Sequence, residues 1–123
     1  MSTPHVHIAD TDTDPGPAVI SLVGDHDLVT VPDVELAVRR ALDAGDGVIV
    51  DLTDATFIDS AILRTPLNAH VIAHTFRIEG VAVVAPPTSP AAQLLDLVGA
   101  AQMLTVYRTL EAARGGDPRP PIN

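Results

Sequence analysis

The sequence contains no cysteine, which excludes disulfides, thiolate catalysis and cysteine-ligated zinc sites. Aromatic residues make up only 2% of the chain, so a core must be built mainly from aliphatic side chains. The material for such a core is present, because 46% of the 123 residues are hydrophobic. This length and composition predict one compact domain.

Positive charge is also scarce, with 7 Lys and Arg against 16 Asp and Glu and a net charge of −9. Without a basic cluster to displace counterions, neither nucleic acid nor an anionic membrane surface is an expected partner. A protein with a basic contact face is compatible with this charge. No apolar run approaches the roughly 18 residues of a membrane span, and Met1–Asp14 lacks the features of a signal peptide. We therefore expect a cytoplasmic protein.

The first half of the chain alternates strand and helix signals. The turn formers of Thr11–Pro17 separate two apolar segments, which predicts a hairpin with an antiparallel edge strand near Val6. A helix is predicted from about Thr30–Asp33, and Val48–Leu52 has the continuous apolar character of a strand covered on both faces. The apolar stripe of this helix consists of Val34, Ala37, Val38, Ala41 and Leu42.

The second half continues the alternation. A helix capped by Asp59 or Ser60 is expected to reach about Phe76, and Val81–Ala85 repeats the buried-strand pattern. Ser89-Pro90 predicts the start of a helix that ends near Gly99. A strand at Met103–Tyr107 and a helix at Thr109–Arg114 follow. The order ββαβαβαβα predicts a single α/β domain over residues 1–114 with a mainly parallel sheet, followed by a disordered tail at 115–123.

Candidate metal ligands do not form a convincing set. Asp10, Asp12 and Asp14 resemble the start of a calcium loop, but Pro15 and Ser21 stand where that loop needs glycine and glutamate. Two histidine pairs also fail to predict a metal site, because neither has a third ligand at a spacing typical of such sites. These pairs are His70 and His74, and His5 and His7. We therefore expect no metal and no cofactor.

Signatures of catalysis are missing as well. The segment around Ser60 lacks the glycines of a nucleophile elbow, and no glycine-rich phosphate loop is present. The sequence therefore predicts a protein that is not an enzyme. Ser60 lies where a predicted buried strand gives way to a helix, a position that suits either an exposed functional serine or a helix cap.

Three motifs follow predicted strands or begin predicted helices. The first is a glycine followed by two acidic residues after a strand. The second is Asp-Leu, a short loop and an apolar-Asp-Ser triplet, and the third is Ser-Pro before a helix with Asp and Gly at its end. They are formed by Gly24, Asp25 and Asp27; by Asp51, Leu52, Ile58, Asp59 and Ser60; and by Ser89, Pro90, Asp96 and Gly99. With these motifs, about residues 17–110 resemble the STAS domain of bacterial anti-sigma factor antagonists.

The resemblance implies a regulatory role. Similar antagonists bind an anti-sigma factor that is also a serine kinase, release the sigma factor, and are phosphorylated on the serine that Ser60 matches. It further implies that Ser60 is the phosphorylation site and that five neighbours shape the partner-binding surface. These neighbours are Asp25, Asp27, Asp59, Ala61 and Ile62.

The sequence departs from the family pattern after Ser60. The family usually continues Asp-Ser-Ser-Gly-Leu-Gly, whereas this chain has Asp59-Ser60-Ala61-Ile62-Leu63-Arg64. Two alternatives remain open: a constitutive STAS scaffold without phosphorylation, and a STAS module that binds a small molecule or nucleotide. Pro66 is expected either to kink this helix or, with Thr65 as cap, to begin it.

Overall fold

The structure is a computed structural model that describes residues 4–8, 17–44, 47–66, 68, 81–99 and 104–115. Strands and helices alternate along most of this length. In chain order they are β1 (His5–Ile8), β2 (Ala18–His26), α1 (Val31–Ala44), β3 (Val48–Asp51), β4 (Ala55–Ile58), α2 (60–66), β5 (Val81–Val84), α3 (Pro90–Leu97), β6 (Thr105–Tyr107) and α4 (Leu110–Gly115).

The strands form one sheet in the order β1-β2-β3-β5-β6. The remaining strand, β4, pairs with the C-terminal end of β2. The pairs β2–β3, β3–β5, β5–β6 and β2–β4 are parallel. At one edge, β1 runs antiparallel to β2, and Val6 lies opposite Leu22. The predicted α/β class with a mainly parallel sheet is therefore confirmed.

The two faces of the sheet are covered unequally. Side chains alternate between the two faces along each strand. On one face, Ile20, Val50 and Val83 belong to the larger core, which also includes side chains of α1, α2 and α3. Their neighbours Ile49 and Val84 face a smaller cluster that includes residues of α4. Burial on both faces explains the continuous apolar character of β3 and β5.

The predicted stripe of α1 is confirmed, because all five of its side chains are buried. This helix begins at Val31, directly after a 3-10 turn at Leu28–Thr30 that the sequence analysis did not predict. For α3, the Ser89 hydroxyl oxygen accepts a hydrogen bond from the Ala92 N–H at 3.1 Å, and Pro90 begins the helix as expected.

One expectation about the sheet was wrong. The predicted order ββαβαβαβα has no strand between Val48–Leu52 and the helix capped by Asp59 or Ser60, but Ala55–Ile58 forms β4. Its burial does not alternate, since Ala55 and Ile58 are buried while Thr56 and Phe57 are exposed. The strand therefore lacks the period-two signature of a half-buried strand, and its pairing with β2 stabilises it instead.

Several predictions fall outside the described residues: the acidic turn at 10–14, the histidine pair His70 and His74, most of the extension of α2 to Phe76, and the tail at 116–123. At the start of that tail, Gly115 is the last residue of α4 rather than part of an unstructured segment. Within the described ranges, no helix has the length and hydropathy needed to cross a bilayer.

Candidate functional site

The parallel strands β2 and β4 end side by side. Asp25 is paired with Phe57 and His26 with Ile58, and the Asp59 N–H donates to the His26 carbonyl at 2.9 Å. Neighbouring strands lie about 4.8 Å apart, so the residues that follow these pairs emerge at the same edge of the sheet. The structure thus brings together segments that are about 30 residues apart in sequence.

Gly24 makes this arrangement possible. Its φ is +85°, a left-handed conformation that costs a residue with a Cβ about 1–2 kcal/mol. The Gly24 N–H donates to the Asp54 carbonyl at 3.1 Å, and the register between β2 and β4 shifts directly after Gly24. The positive φ at this position therefore explains why the first motif has a glycine here.

Asp27 caps the 3-10 turn that follows β2. Its carboxylate accepts a hydrogen bond from the Val29 N–H at 3.0 Å, and its carbonyl accepts one from the Thr30 hydroxyl at 3.2 Å. These bonds hold Leu28 and Val29 in a tight turn with their side chains 67% and 82% exposed. The turn presents two aliphatic side chains to solvent beside the acidic residues.

His26 is buried beneath this turn. Its Nε2 lies 3.0 Å from the Val23 carbonyl oxygen, and its Nδ1 lies 3.0 Å from the Thr30 hydroxyl oxygen. The imidazole therefore ties the turn to the end of β2.

Ser60 is the first residue of α2, and its side chain is exposed. The cap of this helix is Asp59, whose carboxylate accepts from the Ala61 N–H at 2.9 Å and whose carbonyl accepts from the Ile62 N–H at 2.9 Å. Of the two expected caps, Asp59 is therefore the one observed. The Ser60 hydroxyl is left at the surface.

Asp25, Asp27 and Asp59 surround the same edge as Ser60. Asp25 and Asp59 are half-buried and Asp27 is exposed. The Thr56 hydroxyl, on β4, donates to the Asp25 carboxylate at 2.5 Å. The three acidic residues predicted from the sequence thus lie at or just beyond the ends of β2 and β4, the edge of the sheet where Ser60 begins α2.

Ala61 and Ile62 do not belong to this surface. Their side chains are only 8% and 1% exposed, and Ile62 is part of the larger core. The expectation that both side chains shape a partner surface is corrected accordingly, because apolar groups on the inner face of α2 pack against the sheet. Ala61 and Ile62 therefore belong to the packed face of α2, whereas Ser60 is exposed.

The beginning of α2 also settles the position of Pro66. The helix begins at residue 60, so the alternative in which Thr65 caps it and Pro66 begins it is wrong. Pro66 instead lies in the second turn, where it has no N–H to donate to the Ile62 carbonyl. Thr65 is 4% exposed, and its hydroxyl has no hydrogen-bond partner among the described residues.

We expect Thr65→Val to stabilise the protein by about 1 kcal/mol, because valine keeps the shape and removes a buried hydroxyl that has no hydrogen-bond partner within the described ranges. Thr30→Val is the matched control, since the Thr30 hydroxyl is also buried but makes hydrogen bonds, and its loss should destabilise. Urea unfolding of both variants measures the difference. Equal effects at the two positions would contradict this account.

Asp59→Ala should cost about 1 kcal/mol of stability, because the Ala61 N–H loses its acceptor. Asp59→Asn should be nearly neutral, since an amide oxygen also caps a helix. Thermal unfolding of the two variants separates the capping role from the charge. If alanine and asparagine destabilise equally, capping is not the role of this side chain.

Three exposed apolar residues at this edge were missed by the sequence analysis. They are Leu28, Val29 and Phe57, and Phe57 is 51% exposed. The signal for Phe57 was present in the run Ala-Thr-Phe-Ile, which is rich in strand-forming residues. Leu28 and Val29 carried no comparable signal, because an aliphatic pair before a predicted helix is equally typical of a core.

A family model of the STAS domain matches residues 9–113. The fold is similar to the crystal structure of an anti-sigma factor antagonist from Mycobacterium paratuberculosis, with 25% identity, a TM-score of 0.71 and coverage of 93% of each chain. It is also similar to the unphosphorylated form of the anti-sigma factor antagonist SpoIIAA, with 15% identity, a TM-score of 0.70 and coverage of 97% of this chain and 100% of that one.

The likeness to SpoIIAA concerns the fold. No curated protein matches the sequence significantly. The family model spans most of the chain, and its match agrees with the three motifs and with the α/β fold described above. The chain belongs to the STAS domain family.

Proposed function

We propose that this protein is an anti-sigma factor antagonist that binds an anti-sigma factor with serine kinase activity and is switched by phosphorylation of Ser60. The observation that carries the proposal is the exposed Ser60 at the start of α2, on an edge of the sheet that also presents acidic and apolar side chains. Membership of the STAS family supports it, as does the similarity to a mycobacterial antagonist. The role is regulated binding, without a catalytic step by this chain.

The proposed contact surface has an apolar centre and an acidic rim. Leu28, Val29 and Phe57 form what we term the apolar patch, and all three are at least half exposed. Aliphatic and aromatic residues at the centre of an interface contribute most of the binding energy, while charged residues around it favour one partner over another. A partner with an apolar contact site and basic residues around it fits this surface.

A phosphate on Ser60 would change this surface without unfolding the domain. Phosphorylation adds about −1.5 to −2 charges at pH 7. Asp59 already accepts the Ala61 N–H, so the phosphate stays outside that hydrogen bond and beside the acidic rim. The exposed Arg64 lies one helical turn further on, at the i+4 position, where a cation stabilises an anion at the helix start. The phosphorylated protein is therefore expected to remain folded.

Val29→Asp should weaken binding to the cognate anti-sigma factor at least tenfold, or about 1.4 kcal/mol, because a charge replaces an apolar contact. Leu97→Asp is the matched control. Leu97 is also 82% exposed, but it lies at the end of α3, an element that carries no residue of the apolar patch or of the acidic rim. Calorimetric titration of both variants measures the effect, and equal losses would argue against the apolar patch.

A constitutive scaffold is the second candidate function. Ile62 and Arg64 stand where the family pattern has glycines, and the buried Ile62 leaves α2 with a bulky inner face directly after the serine. In this candidate the same surface binds its partner, but no kinase modifies Ser60. Phosphate transfer to Ser60 distinguishes the two functions.

A further inference from the structure

A cleft of about 350 Å³ lies between β1, the turn after β2 and the outer face of α1. Val6, Leu36 and Ala37 form apolar walls. Leu36 is 49% exposed although it is a large aliphatic residue. The volume is at the lower end of the range found for small-molecule sites, which combine apolar walls with a few polar groups.

Two buried polar side chains line the cleft. They belong to Thr30 and His26, are 9% and 0% exposed, and are hydrogen bonded to each other at 3.0 Å. The Thr30 hydroxyl is also bonded to the Asp27 carbonyl, so its position is held by two contacts. This part of the lining is therefore ordered before any ligand binds.

Two opposite charges flank the apolar walls. Asp33 and Arg40 both line the cleft and stand seven residues apart on α1, with Leu36 and Ala37 between them at helical spacing. Seven residues correspond to about 10.5 Å along a helix, so the carboxylate and the guanidinium lie towards opposite ends of the stripe. Within the part of the chain that the structure describes, neither Asp33 nor Arg40 forms an ion pair with another side chain.

We propose that this cleft binds a small zwitterion with an apolar middle, its ammonium group at Asp33 and its carboxylate at Arg40. Arginine pairs with carboxylates through two parallel hydrogen bonds, and the aliphatic walls accept the methylene groups in between. The order of charges along α1 sets the orientation of the ligand. The proposal does not depend on phosphorylation of Ser60 or on an anti-sigma partner.

The test titrates three probes into the full-length protein while amide resonances are followed by NMR. Aminocaproate has both charges, caproate has only the carboxylate and hexylamine only the ammonium group. We expect aminocaproate to shift the resonances of Thr30, Leu36 and Arg40, and to bind at least tenfold more tightly than either single-charge probe. No shift at these residues up to about 20 mM aminocaproate, a concentration that detects millimolar binding, would overturn the proposal.

Variants that remove one charge test which end of the cleft binds the ammonium group and which binds the carboxylate. Arg40→Gln should weaken aminocaproate and caproate but not hexylamine, and Asp33→Asn should weaken aminocaproate and hexylamine but not caproate. Arg39→Gln and Glu35→Gln are the matched controls, because both residues are exposed on α1 and do not line the cleft. The controls should leave all three affinities unchanged. Equal losses in variant and control, or caproate binding as tightly as aminocaproate, would refute the assignment.

Discussion

Ser60→Glu should weaken binding to the cognate anti-sigma factor more than a hundredfold, a loss of roughly 3 kcal/mol, whereas Ser60→Ala should bind like the wild type. The added carboxylate directly follows Asp59, at the edge of the sheet that also presents the apolar patch. Binding would bury this charge against the apolar contact site of the partner, which costs free energy, and the partner would lose a small neutral contact. Both variants should remain folded, because the side chain of Ser60 is exposed.

Thr105→Glu controls for the addition of negative charge as such. Thr105 is exposed, and it begins β6 at the opposite, amino edge of the parallel sheet. Calorimetric titration of the three variants against the anti-sigma factor gives the affinities, and circular dichroism confirms the fold. A Thr105→Glu loss as large as that of Ser60→Glu would show that the effect is not local to the site.

Incubation with the kinase and ATP tests the modification directly. We expect phosphate on Ser60 of the wild type and none on Ser60→Ala. If no phosphate appears and Ser60→Glu binds as tightly as the wild type, the switch is wrong. The constitutive scaffold is then the function that remains, provided that Val29→Asp still weakens binding.

Ile62→Ala should destabilise the domain by about 2–5 kcal/mol, a large part of the total stability of a small protein. Ile62 is 1% exposed and packs in the larger core, so truncation removes buried methyl groups and leaves a cavity. Arg64→Ala is the control on the same helix. Its side chain is exposed, and its loss should change stability by no more than about 0.5 kcal/mol.

Urea unfolding at equilibrium measures both variants. The result decides between two roles for Ile62, as part of the core or as a residue that contacts the partner. A variant that folds with unchanged stability but binds the anti-sigma factor weakly would restore the original expectation of a surface residue. Loss of stability with unchanged affinity of the folded protein supports the structure.

The helices were the most predictable part of the fold. The stripe of α1 recurs at three- and four-residue spacing, and the cap Ser89 with Pro90 marks the start of α3, so both elements could be predicted from neighbouring residues alone. The buried strands β3 and β5 were predictable for a similar reason, since a continuous β-branched run is typical of a strand covered on both faces.

For the candidate site, the sequence alone was enough to predict the acidic residues and Ser60, because they belong to motifs that the resemblance to STAS domains identifies. Only the tertiary structure decided which neighbours share that surface. The periodicity of apolar residues along the sequence indicates which face of a short segment is buried. It does not predict β4, because that strand depends on pairing with residues about 30 positions earlier. That pairing exposes Phe57, and the packing of α2 buries Ile62. Long-range packing of this kind leaves no local pattern in the chain.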